Sequence, residues 1–250
     1  MKHKVVFWDI YGTLVAGERG DLDSLVKRHA ELLPVFEQTV RNFSLPMSSE
    51  ALHEHFIAAI KSERERRIAG GVEHPEVRIE EIWWKLLDNA TLNQAREVAL
   101  FFERRANPKQ FQPRAFETLT TLKQRGLRQG IISNAQFYTP IELSELLREE
   151  SACAICTYES IFDPALVVFS FELEVAKPDL APFRRIVEVL TRDNIMPDDC
   201  VFVGDSPAND IAPAQHLGFR TVLYAPEGTS MLPAKPDLVI HNLAQLLEWL

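Results

Sequence analysis
Four stretches of this chain carry residue types that can do chemistry together. Asp9 follows the apolar run Val5-Val6-Phe7-Trp8 and precedes Ile10-Tyr11-Gly12-Thr13. Ser133-Asn134 ends a second apolar run, and Lys177 stands just before Pro178-Asp179. Asp205 closes Val201-Phe202-Val203-Gly204, with Asp210 a little further on. A carboxylate such as Asp9 can attack phosphorus or carbon and form a covalent intermediate that water then cleaves. Three carboxylates gathered near one point repel one another unless a cation sits among them. Read singly, each position has a plain structural reading: a helix cap for Asp9 or Ser133, a solvated surface lysine, a first-turn helix charge for Asp210. Read together, all four fall where a buried strand has just ended. The ends of parallel strands share one edge of a sheet, where open α/β folds bind their ligands.

The elements needed to bring them together are visible in the pattern. Residues 4–8, 128–133, 167–169, 201–203, 221–224 and 238–240 read as short buried strands. Helical periodicity fills the gaps after Pro113: 114–124 ending at Gly126, 140–150, 178–191 with Pro178 in its first turn, and 207–217 closed by Gly218. Strands alternating with helices predict a doubly wound parallel sheet, an α/β fold of Rossmann type. Between the first strand and Pro108 the pattern is purely helical. One helical stretch starts near Asp21 with a break around Pro34, a second spans 50–69 and stops at Gly70-Gly71, and two more cover 80–87 and 92–105. The expected organisation is a core of residues 1–15 and 110–250, with a helical insert over 16–109.

The four stretches resemble the motifs of the haloacid dehalogenase superfamily of hydrolases. Asp9-Ile10-Tyr11-Gly12-Thr13 is similar to its first motif, Ile131-Ile132-Ser133-Asn134 to the second, Ala176-Lys177-Pro178-Asp179 to the third, and Val203-Gly204-Asp205-Ser206-Pro207-Ala208-Asn209-Asp210 to the fourth. The resemblance implies that Asp9 is the nucleophile and that the insert is a cap over the site. It implies Mg²⁺ held by Asp9, Asp205 and the backbone carbonyl of Tyr11, with Asp210 acting through water or as an orienter. Lys177 and the cation would neutralise phosphoryl charge, Ser133 and the amides after it would hold a phosphate oxygen, and Thr13 would bond within the Asp9 loop.

Tyr11 departs from the phosphatase pattern. Phosphatases resembling this chain carry an aspartate there, which protonates the leaving alcohol, help worth about 10²–10⁴-fold. The D-x-Y-G-T-L start is instead similar to 2-haloacid dehalogenases, whose halide leaving group needs no proton. That resemblance implies substrate contacts from Ser133-Asn134 and from a cap arginine near Arg41. The acidic fourth motif points back to a metal. Three expectations follow: Mg²⁺-dependent hydrolysis of a small phosphate ester, metal-independent dehalogenation, or a ligand-binding protein that has kept the fold without turnover.

Composition narrows the partners. The 250 residues carry a net charge of −9 without a basic block, which argues against nucleic acid and anionic membrane. No apolar run is long enough to span a bilayer. The basic start Met1-Lys2-His3-Lys4 leads into too short an apolar run for a signal peptide, so a cytoplasmic location is expected. Three cysteines suggest a reducing compartment, and Cys153-x-x-Cys156, lacking a second pair, reads as two small apolar residues. His53 and His55 fall on different helix faces and are not read as a metal pair. Arg64, Arg66 and Arg67 read as a solvated face. Trp83-Trp84 and Phe101-Phe102 are expected to pack the insert, with one of each pair facing the cleft.

Overall fold
The computed structural model describes residues 4–17, 22–228 and 235–250. Met1-Lys2-His3 and the helix start at Asp21 lie outside them. Eight strands are present among the described residues: β1 (Val5–Trp8), β2 (Val15–Ala16), β3 (Gln110–Phe111), β4 (Arg128–Ser133), β5 (Val167–Phe169), β6 (Cys200–Gly204), β7 (Arg220–Tyr224) and β8 (Leu238–Ile240). Six of them form one parallel sheet in the order β5-β4-β1-β6-β7-β8. The strand carrying Asp9 is therefore central, flanked by the strands that lead to Ser133 and Asp205.

Strand periodicity explains why β1 is apolar on both sides. Val6 and Trp8 enter one core with Ile131, Val201, Val203 and Val222. Val5 and Phe7 enter the opposite core with Ile132, Val168, Phe183 and Phe202. A strand covered on both faces reads as a continuous apolar run, as parallel sheets require. The covering helices are α6 (Ala115–Gln124), α7 (Thr139–Ser151), α8 (Ser170–Leu173), α9 (Ala181–Arg192), α10 (Ala212–His216) and α11 (Leu246–Trp249), numbered after five helices of the insert.

Those five are α1 (Leu22–Lys27), α2 (His29–Phe43), α3 (Ser49–Ala69), α4 (Ile79–Leu86) and α5 (Leu92–Ala106). They have an apolar core of their own around Phe36, Phe56, Trp83 and Phe102, with ring centroids as close as 4.5 Å. Each large-to-small change there should cost about 3–5 kcal/mol. Ser48 caps α3, and a Thr91–Gln94 capping box starts α5.

Several local expectations are corrected. Pro34 lies inside α2 rather than at a break; the interruption falls upstream at Arg28, and the proline sits within the first two turns, where only one backbone bond is lost. Pro178 precedes its helix, which starts at Ala181 with Pro182 in the first turn. The Lys177–Pro178 bond is cis. Residues Pro207–Ile211 form a π-turn ahead of α10. Cys153 and Cys156 are joined as a disulfide in the loop after α7, so the reading as two free apolar side chains does not hold. Two short strands escaped the pattern because two residues show no periodicity: β2 and β3 pair antiparallel and tie together the chain entering and leaving the insert.

A second tie crosses further out. Pro75 bridges Val175, Glu76 N–H donates to Glu174 O, and Ala176 N–H donates to His74 O at 2.8 Å. Insert residues 74–76 are thus laced to the segment that delivers Lys177.

Candidate active site
Asp9 sits directly past β1 and is buried. Its Oδ1 accepts from Lys177 Nζ at 2.8 Å and from Ser133 Oγ at 3.0 Å, while Oδ2 receives the longer bond of Thr13 Oγ1 at 3.3 Å. Lys177 arrives from the loop after α8, not from a strand end, and its side chain is 2% exposed. Its three donors go to Asp9, to Asp210 Oδ1 at 2.5 Å and to Ile132 O at 3.0 Å, which uses the ammonium completely. Burial disfavours that charge, but Asp210 and Asp9 outweigh it and hold the lysine above its ordinary pKa. Asp210 is raised instead, because burial exceeds the lowering effect of Lys177.

Asp205 completes the acidic group. One oxygen from each of Asp9, Asp205 and Asp210 falls within a 4.8 Å spread. Two glycines make this approach possible. A Cβ on Gly12, whose φ is +92°, would lie 2.6 Å from Asp205 Oδ2, and one on Gly204 would lie 2.5 Å from Asp210 Cβ. The turn needs a left-handed residue and the carboxylates need the missing methyl groups. Three carboxylates against one lysine leave an excess of negative charge in an all-oxygen donor set, which fits a hard divalent cation. Both oxygens of Asp210 are engaged: Oδ1 holds Lys177 and Oδ2 accepts from Ser206 N–H.

Asn134 lines the cavity, but its side chain clasps the Lys177 backbone: Oδ1 accepts from Lys177 N–H at 2.7 Å and Nδ2 donates to Lys177 O at 3.1 Å. Tyr11 also lines the cavity, with its hydroxyl 2.8 Å from Thr139 Oγ1. Burial, then the nearby Glu142 and Glu103, push its pKa well above the ordinary value, so it stays protonated. Arg41 is displaced from the expected role. It is 74% exposed on α2, pairs with Glu37 in the adjacent turn, and is absent from the cavity wall.

The cavity measures about 420 Å³. Core residues Asp9, Lys177, Asp205 and Asp210 meet insert residues Leu25, Ile60, Arg64 and His74–Val77 across it. Neither tryptophan of Trp83-Trp84 nor either ring of Phe101-Phe102 lines it; Trp83 and Phe102 are buried in the insert core. The solvated-face reading holds for Arg66, which is 67% exposed. Arg64 is exposed too and also borders the cavity, while Arg67 is half-buried between Glu63 and Glu174. His55 is exposed, while His53 is buried with Nδ1 3.0 Å from His29 Nδ1.

A family model described as haloacid dehalogenase-like hydrolase matches residues 3–218. The chain belongs to that family. Haloacid dehalogenase-like hydrolases of both chemistries resemble it in structure. A HAD phosphatase from Thermococcus onnurineus is 21% identical with a TM-score of 0.58, covering 98% of this chain and 97% of that one. A 2-haloacid dehalogenase from Pseudomonas syringae pv. Tomato is 25% identical with the same TM-score and the same coverage of both chains. The Rhythmically expressed gene 2 protein of Drosophila melanogaster is 29% identical over 100 residues, which is 33% of this chain and 38% of that protein. No helix among the described residues is long and apolar enough to cross a membrane.

Pattern reading missed a wall of buried polar side chains where insert meets core. Glu76 Oε2 accepts from Ser170 Oγ at 2.6 Å, and Glu76 Oε1 accepts from Gln136 Nε2 at 3.0 Å. Burial raises the Glu76 carboxyl in spite of these bonds. Lys109 Nζ donates to Glu103 Oε1 at 2.5 Å and lies 3.8 Å from Glu142 Oε2, an oxygen with no hydrogen-bond partner. Burial pushes Glu142 up to about 7. Only Lys109, at the exit of the insert beside Pro108, carried a positional hint; Glu76, Glu103 and Glu142 look like any solvated glutamate in the sequence.

Proposed function
We propose that this haloacid dehalogenase-like hydrolase removes the phosphoryl group from a small molecule, with Asp9 as nucleophile and residues 16–109 as a cap over the site. The reading rests chiefly on the convergence of Asp205 and Asp210 on Asp9, in a donor set suited to Mg²⁺. In this scheme Asp9 Oδ2, carrying only the long Thr13 bond, attacks phosphorus, the alkoxide leaves, and water cleaves the aspartyl phosphate. Asp9, Asp205 and the Tyr11 carbonyl would hold the cation, with Asp210 orienting. The cation supplies charge neutralisation at the phosphoryl oxygens. Lys177 and Ser133 bond Oδ1 and aim the nucleophile, and Asn134 holds Lys177 in place.

Tyr11 stays neutral and bonded to Thr139 in this scheme, so it is no base and a constrained donor. Substrates with good leaving groups are favoured accordingly. The same tyrosine supports dehalogenation as a second reading, weakened by the outward placement of Arg41. An assay of p-nitrophenyl phosphate and L-2-chloropropionate, each with Mg²⁺ and with EDTA, separates the readings. Phosphate release that needs Mg²⁺ supports the first; chloride release in EDTA supports the second. Failure of both, with either compound still protecting against heat, leaves a binding protein.

A further inference from the structure
The cavity has two charged poles. At the core pole the lysines are already engaged: Lys177 by Asp9, Asp210 and the Ile132 carbonyl, and Lys109 by Glu103 and the Asn107 carbonyl. The insert pole differs. Arg64 lines the cavity from α3, one turn beyond Ile60, and makes no hydrogen bond or ion pair with any described residue. Its potential partners are occupied. Glu63 is taken by Arg66, Arg67 and Lys85, and Glu174 by Arg67. Glu76 is taken by Ser170, Gln136 and its neighbour's amide. His74 stands on the same wall, 3.8 Å from Glu73. The lining also includes the apolar side chains of Leu25, Ile60, Val77 and Ile79.

Arg64 acts through space on the Glu76 carboxylate, yet its five guanidinium donors border the cavity without a hydrogen-bonded acid and can receive an anion. We propose that Arg64, with His74 in the same cavity lining, binds a second anionic group on the substrate, so that the protein selects small phosphate esters whose carbon chain ends in a carboxylate or a second phosphate. This rests on the phosphatase reading above. The apolar wall packs the carbon chain, and the far anion at Arg64 places the phosphoryl group at Asp9. Because Arg64 touches the substrate away from the reacting atoms, it sets affinity and not the chemical step.

The test compares propyl phosphate, 3-phosphooxypropanoate and propane-1,3-diol bisphosphate, in kinetics with Mg²⁺ and in calorimetric binding. Wild-type protein should favour one or both double anions by about 10–100-fold in kcat/KM, the range of a charge-assisted bond. Which of the two is favoured distinguishes carboxylate from phosphate. Arg64→Ala should erase that preference through KM with kcat nearly unchanged, leave propyl phosphate within about twofold, and be partly rescued by Arg64→Lys. Equal treatment of all three by the wild type, or a preference that survives Arg64→Ala, overturns the proposal. So does a lack of binding to all three. Phosphate release from all without preference refutes the Arg64 assignment alone. No release from any of them or from p-nitrophenyl phosphate, with the binding preference intact and lost in Arg64→Ala, refutes the phosphatase reading and keeps the anion site.

Discussion
Replacing Lys177 by methionine should destabilise the core far more than its loss from a surface would. The side chain is 2% exposed and neutralises Asp9 at 2.8 Å and Asp210 at 2.5 Å, both carboxylates also being buried. Methionine keeps most of the volume but leaves two buried acids without a cation. Breaking a buried pair in this way costs about 3–5 kcal/mol. At roughly 2–4 °C per kcal/mol for a chain of this size, the melting temperature should fall by about 6–20 °C. The sign with pH is fixed by direction. Lys177 is held above its ordinary value, so its contribution is fully present below about 10 and fades only above that. The deficit should therefore be large at pH 7.5 and shrink near pH 5, where Asp210, raised to about 7, takes up a proton. Millimolar Mg²⁺ should narrow it at pH 7.5 by supplying charge to the same carboxylates. Scanning calorimetry in metal-free buffer and in Mg²⁺ reads both effects. A fall below about 3 °C, or one indifferent to pH and to Mg²⁺, would refute the view that Lys177 balances two ionised acids.

Other perturbations probe the surroundings of the site. Glu142 is raised to about 7, so its share of stability is present near pH 4.5 and lost as pH rises through 7. Glu142→Gln should therefore stabilise the protein by up to about 3 kcal/mol at pH 8 and by little at pH 4.5, as measured by denaturant titration at both. Gly12→Ala places a methyl group 2.6 Å from Asp205 Oδ2 at a φ of +92°. It should raise the Mg²⁺ concentration for half-maximal phosphate release about tenfold or more, a cost of at least ~1.4 kcal/mol. Tyr11→Asp should speed hydrolysis of alkyl phosphates by about 10²-fold or more while changing p-nitrophenyl phosphate much less. Equal effects on the two substrates would remove the missing-acid explanation.

Much of this architecture was legible before the fold was seen, for identifiable reasons. Val5–Trp8 and Cys200–Gly204 are buried on both faces and appear as uninterrupted apolar runs, while Arg128–Ser133 shows only its Ile131-Ile132 pair. Those runs point at the acids and the serine because parallel strands place their C-terminal ends on one edge. Lys177 was legible as a residue but not as a position, because it reaches the site from a loop beyond α8. What stayed hidden depends on side-chain direction across the insert. Arg41 and Arg64 look alike in the sequence, yet one pairs with Glu37 in solvent and the other faces the cavity. Asn134 reads as a substrate ligand beside Ser133, whereas its amide is spent on the Lys177 backbone. The glutamates 76, 103 and 142 carry no pattern that separates them from surface charges; only the docking of insert on core buries them.

Covalent chemistry at Asp9 is the central step of the proposed reaction. Protein mixed with p-nitrophenyl phosphate and Mg²⁺, quenched during turnover and reduced with borohydride, should yield homoserine in place of Asp9 in the mass spectrum of its N-terminal peptide. Phosphate release with Asp9 unmodified, or with the trapped adduct on another carboxylate, would contradict it.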